Sequence, residues 1–156
     1  MSRTIAILGG TGAEGSGLAL RFAHAGARVL IGSRSLARSQ EVSRRIHPAA
    51  LGLLNPDAAG QAEIVILTAP IQAQIATLKS VRASLRPGTV LVDATVPMEI
   101  AIGGRLSHPL ALWAGSAAEQ AARNVPEGVA VVSAFHSLSA ELLGVLDATI
   151  ESDVLI

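Results

Sequence analysis

The chain contains no cysteine, which excludes disulfides, thiol catalysis and cysteine-ligated metal sites and fits a reducing cytoplasm. Aromatic residues make up only 2% against 50% hydrophobic residues, so the core must be aliphatic and alanine-rich. Net charge is lacking as well: 12 basic side chains balance 12 acidic ones, and nothing points to nucleic acid or an anionic membrane surface as a partner. No apolar run approaches the roughly 20 residues of a membrane-spanning helix. No charged segment followed by an apolar run opens the chain. At 156 residues it is long enough for one domain that buries about two-thirds of its unfolded surface. The expectation is a soluble cytoplasmic protein with no membrane or nucleic-acid partner.

Glycine is plentiful where it matters. Ile5-Ala6-Ile7-Leu8 reads as a buried strand and runs into Gly10, Gly12 and Gly15 at the spacing G-x-G-x-x-G. Leu18 to Ala23 then reads as a helix, with Leu18, Phe22 and Ala25 on one face and Gly26 placed to end it. A turn of this kind aims unpaired helix N-terminal N–H groups at an anion, usually the pyrophosphate of a dinucleotide. Gly10 would permit the tight turn, Gly12 would let the backbone approach the pyrophosphate, and Gly15 would let helix and strand pack closely. The alternative is an ordinary glycine-rich loop without a ligand; the strand before and the helix after argue against it.

The end of the next strand suggests which dinucleotide. Arg28-Val29-Leu30-Ile31 is that strand, and Gly32-Ser33-Arg34 follows where an NAD-binding protein places a carboxylate for the ribose 2′-hydroxyl. No carboxylate is present here. Ser33 offers a hydroxyl, Arg34 a planar guanidinium, and Arg38 stands one helical turn further on. This set suits the 2′-phosphate of NADP. A charge-assisted contact contributes roughly 1.5–3 kcal/mol, so one good arginine–phosphate contact would favour NADP over NAD by about 10- to 150-fold. Arg44 and Arg45 read as solvated surface residues.

Strands and helices alternate through the rest of the chain without a linker. Leu36 to Ile46 reads as helix, Ala50 to Leu54 as a short strand, and Asn55-Pro56 as a cap and first turn that open a short helix through Gln61. Glu63 to Thr68 is a nearly continuous β-branched strand, and Ile71 to Leu85 is helical in pattern. Thr89 to Asp93 and Val129 to Ser133 read as strands, Ser116 to Arg123 and Ser139 to Leu146 as helices. The order implies an α/β fold, a Rossmann-like doubly wound parallel sheet with helices on both faces. Ligands in such sheets bind beyond the carboxyl ends of the strands.

Those ends carry Thr68-Ala69-Pro70, Ala94 to Met98 and Ser133 to Ser137. They are small, apolar or hydroxylic, and suit a nicotinamide ring with a flat partner against it. They offer no lysine–carboxylate or histidine–aspartate pair for moving a proton. His136 is the one titratable candidate, with hydrogen bonding to nearby backbone as its bland alternative. Asp93 lacks an obvious partner as a general base, His24, His47 and His108 read as surface or loop residues, and no spacing suggests a metal site.

Gly9-Gly10-Thr11-Gly12 with Gly15, Gly17 to Arg21, and Gly32-Ser33-Arg34 closely resemble the coenzyme F-420:NADP oxidoreductase family. The resemblance runs on through Leu67 to Pro70, Val96-Pro97, Gly115 to Glu119 and Val132 to His136. It implies direct hydride transfer between NADPH and a deazaflavin, a small-molecule co-substrate. Thr11, Gly12, Ala13 and Glu14 would line the pyrophosphate, and Ser33, Arg34 and Arg38 would take the 2′-phosphate. Thr68, Ala69, Pro70, Val96 and Ala134 would border the nicotinamide; Pro97, Met98 and His136 would face the deazaflavin. Direct hydride transfer needs stacking and orientation more than proton relays, in keeping with the acid-poor strand ends.

The resemblance also implies a strand over Asp153 to Ile156, after which the family continues into C-terminal helices that help close the deazaflavin pocket and form a dimer. The sequence ends at that strand, so the expectation is one NADP-binding Rossmann domain over residues 1–156 without that helical segment, and a homodimer is left open. Two other readings remain: a non-catalytic NADP-binding module, and a different NADP-linked reductase related to the pyrroline-carboxylate or β-hydroxyacid dehydrogenases. The latter is disfavoured because the hydroxyacid enzymes need a catalytic lysine and Lys79 lies mid-helix.

Overall fold

The computed structural model describes residues 3–156. Six parallel strands form one sheet: β1 (Thr4–Leu8), β2 (Arg28–Ser33), β3 (Leu51–Leu54), β4 (Ile64–Leu67), β5 (Val90–Asp93) and β6 (Ala130–Ser133). Their order across the sheet is β3-β2-β1-β4-β5-β6, the Rossmann arrangement. The chain moves outward from β1 to β3, then crosses back to lay β4 on the other side of β1. The crevice therefore opens between the carboxyl ends of β1 and β4.

The helices are α1 (Ala13–His24), α2 (Leu36–Ile46), α3 (Asn55–Ala59), α4 (Ile71–Val81), α5 (Ala117–Ala122) and α6 (Ala140–Leu143). Because both faces of the sheet are covered, the central strands are apolar from Ile5 to Leu8 in β1 and from Ile64 to Leu67 in β4. Ala6, Leu8, Val65 and Leu67 face α3, α4 and α5. Ile5, Ile7, Ile31 and Ile66 face α1 and α6. Full burial of side chains such as Ile7 and Leu67 contributes about 1.5–3 kcal/mol each. The core is aliphatic, as the composition requires. Phe22 and Phe135 meet edge-to-face at its margin, with ring centroids 6.3 Å apart, and Trp113 is fully exposed.

Local chemistry explains the element ends. Ser35 caps α2 by accepting from the Arg38 N–H, and Ser116 with Glu119 forms a reciprocal capping box on α5. At the end of α1, Gly26 and Ala27 donate to the carbonyls of Ala23 and Phe22, a closing pattern that satisfies both carbonyls.

Three expectations need correction. Helix α4 stops at Val81, not Leu85: the Ser84 N–H bonds the Val81 carbonyl three residues back, which tightens the chain out of α geometry, and Pro87 bars helical geometry at Arg86. Helix α6 covers four residues and ends at Gly144. Residues 151–156 form no strand: no other strand pairs with them, and Leu155 and Ile156 are exposed.

Between β5 and α5 the chain makes an excursion that carries no helical or strand periodicity. It is closed by bridges between Met98 and Pro109 and between Leu112 and Gly115, and contains one short 3₁₀ turn, Glu99–Ile102. The Gln72 side chain on α4 donates to the Ala101 carbonyl and ties the excursion to that helix.

Candidate functional site

The turn after β1 is built by four glycines acting for different reasons. The left-handed backbone conformation falls on Gly9 (φ +78°), not on Gly10, where sequence reasoning expects the tight turn. Gly10 is instead a point of close approach: a Cβ there would stand 2.8 Å from the Ile7 carbonyl oxygen. Its N–H is shared between the carbonyls of Ile7 and Gly32, which locks the turn against β2. At Gly15 a Cβ would meet Thr68 Oγ1 at 2.6 Å and the Gly10 Cα at 2.7 Å, so α1 lies directly on the strand ends.

Gly12 differs from both. Its φ of −81° and ψ of 170° suit any residue, and a Cβ would meet nothing closer than the Gly9 oxygen at 3.5 Å. Neither backbone strain nor protein packing requires glycine there. The side left bare faces a groove of about 930 Å³ at the carboxyl end of the sheet. Gly12 is also the N-cap of α1 and supplies no side-chain cap, so the first-turn amides keep their capacity for an external anion.

The groove joins three stretches that are far apart in the chain. Thr11 to Gly15 form its base, Ser33, Arg34 and Arg38 one end, and Thr68 to Pro70 another wall. Ser33 is buried, and its Oγ accepts from the Ser35 N–H at 3.2 Å. Arg34 and Arg38 are exposed, and among the described residues neither guanidinium pairs with a carboxylate. Two unpaired cations beside a hydroxyl and the start of α2 form a ready anion site. The donor set and the bare Gly12 edge together fit a dinucleotide phosphate chain with a further phosphate at the arginine end.

One feature opposes the anion. Glu14 lies in the first turn of α1 and lines the same groove, and burial raises its carboxyl above the ordinary value.

A scan against protein families matches residues 4–97 to the family described as NADP oxidoreductase, coenzyme F420-dependent. The chain belongs to this family. Proteins named F420-dependent NADP reductase from Methanothermobacter thermautotrophicus and Methanothermobacter marburgensis are each 44% identical to it, over 100% and 97% of the chain and 70% and 71% of their own lengths. A solved structure assigned as an F420-dependent NADP reductase from Arthrobacter sp. FB24 superposes with a TM-score of 0.76 at 28% identity, covering 90% of this chain and 66% of that one.

The other residues singled out from sequence stand outside the groove lining. Val96 is exposed, Pro97 and Met98 are half-buried and His136 is exposed, whereas Ala134 is buried. All follow the ends of β5 and β6, which run in register with Asp93 opposite Ser133. Phe135 adopts φ +74°, an unusual conformation for a bulky residue, held by the Phe22 ring and by the Leu138 N–H donating to its carbonyl.

Asp93 is wholly buried and does have partners. It accepts from Thr95 Oγ1 at 2.6 Å and from Gln74 Nε2 at 3.1 Å, and Gln74 in turn accepts from Gln120 and donates to the Ala117 carbonyl. The network binds β5 to α4 and α5 behind Ala69. Burial raises the Asp93 carboxyl, while the bonds from Thr95 and Gln74 and the field of His136 act in the opposite sense. Of the other histidines, His24 is exposed, His47 accepts from the Ala49 N–H and His108 faces Glu99 at 3.5 Å. Among the described residues no three potential ligands converge on a metal-sized site, and no helix is long and apolar enough to cross a membrane.

Sequence reasoning does not reach Ser35, Asn55, Ala73, Thr77 and Ala140, which also line the groove. Thr77 follows Ala73 by one turn of α4, a signal visible only once Ala69-Pro70 is known to lead into that face.

Proposed function

We propose that the protein transfers hydride between NADPH and the deazaflavin coenzyme F-420. The observation that carries the reading is Gly12, whose missing Cβ answers to no protein neighbour and lies beside the Ser33–Arg34–Arg38 cluster. Thr11 to Gly15 would hold the pyrophosphate, Ser33, Arg34 and Arg38 the 2′-phosphate, and Thr68 to Pro70 with Val96 and Ala134 would border the nicotinamide. Pro97, Met98 and His136 would meet the deazaflavin. Hydride leaves nicotinamide C4 for deazaflavin C5; NADPH becomes NADP⁺, and the reduced deazaflavin takes its second hydrogen as a proton from water. The chain's residues bind and orient the two rings, which supplies most of what such a transfer needs.

The activity for which the two Methanothermobacter relatives are named supports this reading, and the chain spans about 70% of their length. Mixing the protein with NADPH and the oxidised deazaflavin should bleach the deazaflavin absorbance, while a flavin control stays unchanged. NADPH binding without bleaching would favour a second reading, a module that holds NADP without turnover; the standing of Pro97, Met98 and His136 outside the groove lining is the observation behind it. A cytoplasmic location and a homodimer belong to the same proposal. Exposed Ile102, Leu106 and Trp113 on the excursion after β5 support a covered apolar face, and light scattering at several concentrations would test it.

A further inference from the structure

Asn55 is the first residue of α3 and follows directly on β3, whose Leu54 lies in register with Ser33 of β2. The residue is 5% exposed and lines the dinucleotide groove together with Ser33 and Arg38. Its Oδ1 is buried and receives no hydrogen bond, the one side-chain atom in that condition among the described residues. The carboxamide lies across the end of β2, where a Cβ on Gly32 would stand 2.7 Å from Oδ1. Glycine at position 32 thus makes room for the amide in this place.

A buried carbonyl without a donor loses the hydration it had in the unfolded chain and gains nothing back. A hydroxyl or an amine on a ligand can restore the bond; a phosphate dianion, which only accepts, cannot. As placed, Oδ1 is sealed against Gly32. A half-turn of the near-symmetric amide about its Cβ–Cγ bond exchanges oxygen and nitrogen at nearly constant volume. This turns the acceptor to the groove and brings the N–H groups to the side of Gly32, where the Ile7 carbonyl oxygen lies 3.3 Å from the same Cβ position. In NADP the carbon next to the 2′-phosphate carries a 3′-hydroxyl, and that hydroxyl is the donor nearest to a phosphate held by Ser33, Arg34 and Arg38.

We infer that Asn55 is a specificity-determining residue that receives the 3′-hydroxyl of the 2′-phosphorylated ribose. The inference rests on the NADP reading of the groove. It makes the adenosine end a two-part recognition element, with the arginines reading the phosphate and the amide reading its neighbouring hydroxyl.

Calorimetric titration with three fragments tests it: adenosine 2′,5′-bisphosphate, its 3′-deoxy counterpart and adenosine 5′-monophosphate. Loss of the 3′-hydroxyl should weaken binding to the wild-type protein by about 10-fold. Asn55→Ala should bind the bisphosphate that much more weakly and no longer distinguish it from the 3′-deoxy form. Equal binding of the two bisphosphates by wild type overturns the inference, and needs no variant to fold. Discrimination retained in Asn55→Ala also overturns it, as does a loss of preference for the 2′-phosphate in that variant, which would assign the amide to the phosphate. Wild type that binds the monophosphate as tightly as the bisphosphate overturns the NADP reading itself.

Discussion

Thr68 Oγ1 donates to the Leu8 carbonyl at 3.0 Å and stands 2.6 Å from the place a Cβ on Gly15 would occupy. The same hydroxyl thus joins the ends of β1 and β4 and sets how closely α1 can lie on them. Gly15→Ala should destabilise the protein by roughly 1–3 kcal/mol, because the Gly10 backbone on the other side cannot give way. Gly12→Val should leave the melting temperature near that of wild type and abolish NADPH binding. Paired thermal melts and NADPH titrations separate the two; retained NADPH affinity in Gly12→Val would remove the phosphate-turn assignment.

Arg34→Ala should weaken NADPH binding by roughly 10- to 150-fold more than NADH binding. Equal losses for the two nucleotides, measured by fluorescence titration, would sink the 2′-phosphate assignment.

Glu14 sets a carboxylate beside an anion site, so a bound pyrophosphate should raise its proton affinity further. NADPH affinity should then fall as pH rises through the raised Glu14 value, because the ionised carboxylate repels the phosphates. Glu14→Gln should flatten that profile and tighten binding by roughly 2- to 5-fold. A profile unchanged by the substitution would mean the side chain turns away from the ligand.

The buried Asp93 ionises less readily in the fold than in the unfolded chain, whose reference value is 3.8. The stability linked to it is therefore complete below that reference and is lost as pH rises through the raised folded value. Asp93→Asn keeps an acceptor for Gln74 and cannot ionise. Its melting temperature should gain on wild type as pH climbs from about 4 toward 7. Parallel curves for the two proteins would contradict this account.

His136→Ala should change the deazaflavin reduction rate only modestly, since an exposed imidazole can position a ring without carrying its proton. A stopped-flow rate lower by several orders of magnitude would reveal a proton transfer in the reaction.

How much of this was legible in the residues depends on the range of the interaction. Helix α2 begins and ends at Leu36 and Ile46 as its pattern predicts, because its cap and stop are local. The glycine spacing and Gly32-Ser33-Arg34 point to the dinucleotide for the same reason: strand, turn and helix follow one another in the chain. Asn55 escaped because its meaning depends on Gly32, a residue on another strand that leaves space for its amide. The positive φ of Phe135 escaped too, since a ring on α1 holds it. The strand expected over residues 153–156 failed because a strand exists only where another pairs with it. Gly10 illustrates a subtler miss: the motif places a glycine there for a turn, whereas the left-handed angle sits one residue earlier and Gly10 serves contact.

Trp113 stands fully in solvent on the excursion after β5, and the chain has one tryptophan and no tyrosine. The protein therefore carries a single intrinsic fluorophore of that kind, placed on a surface loop whose far end is pinned to α4 through Gln72. Its emission should begin at the wavelength of a hydrated indole. A blue shift or quench on adding the deazaflavin, or on raising protein concentration, would say which of the two covers that loop, with no label attached.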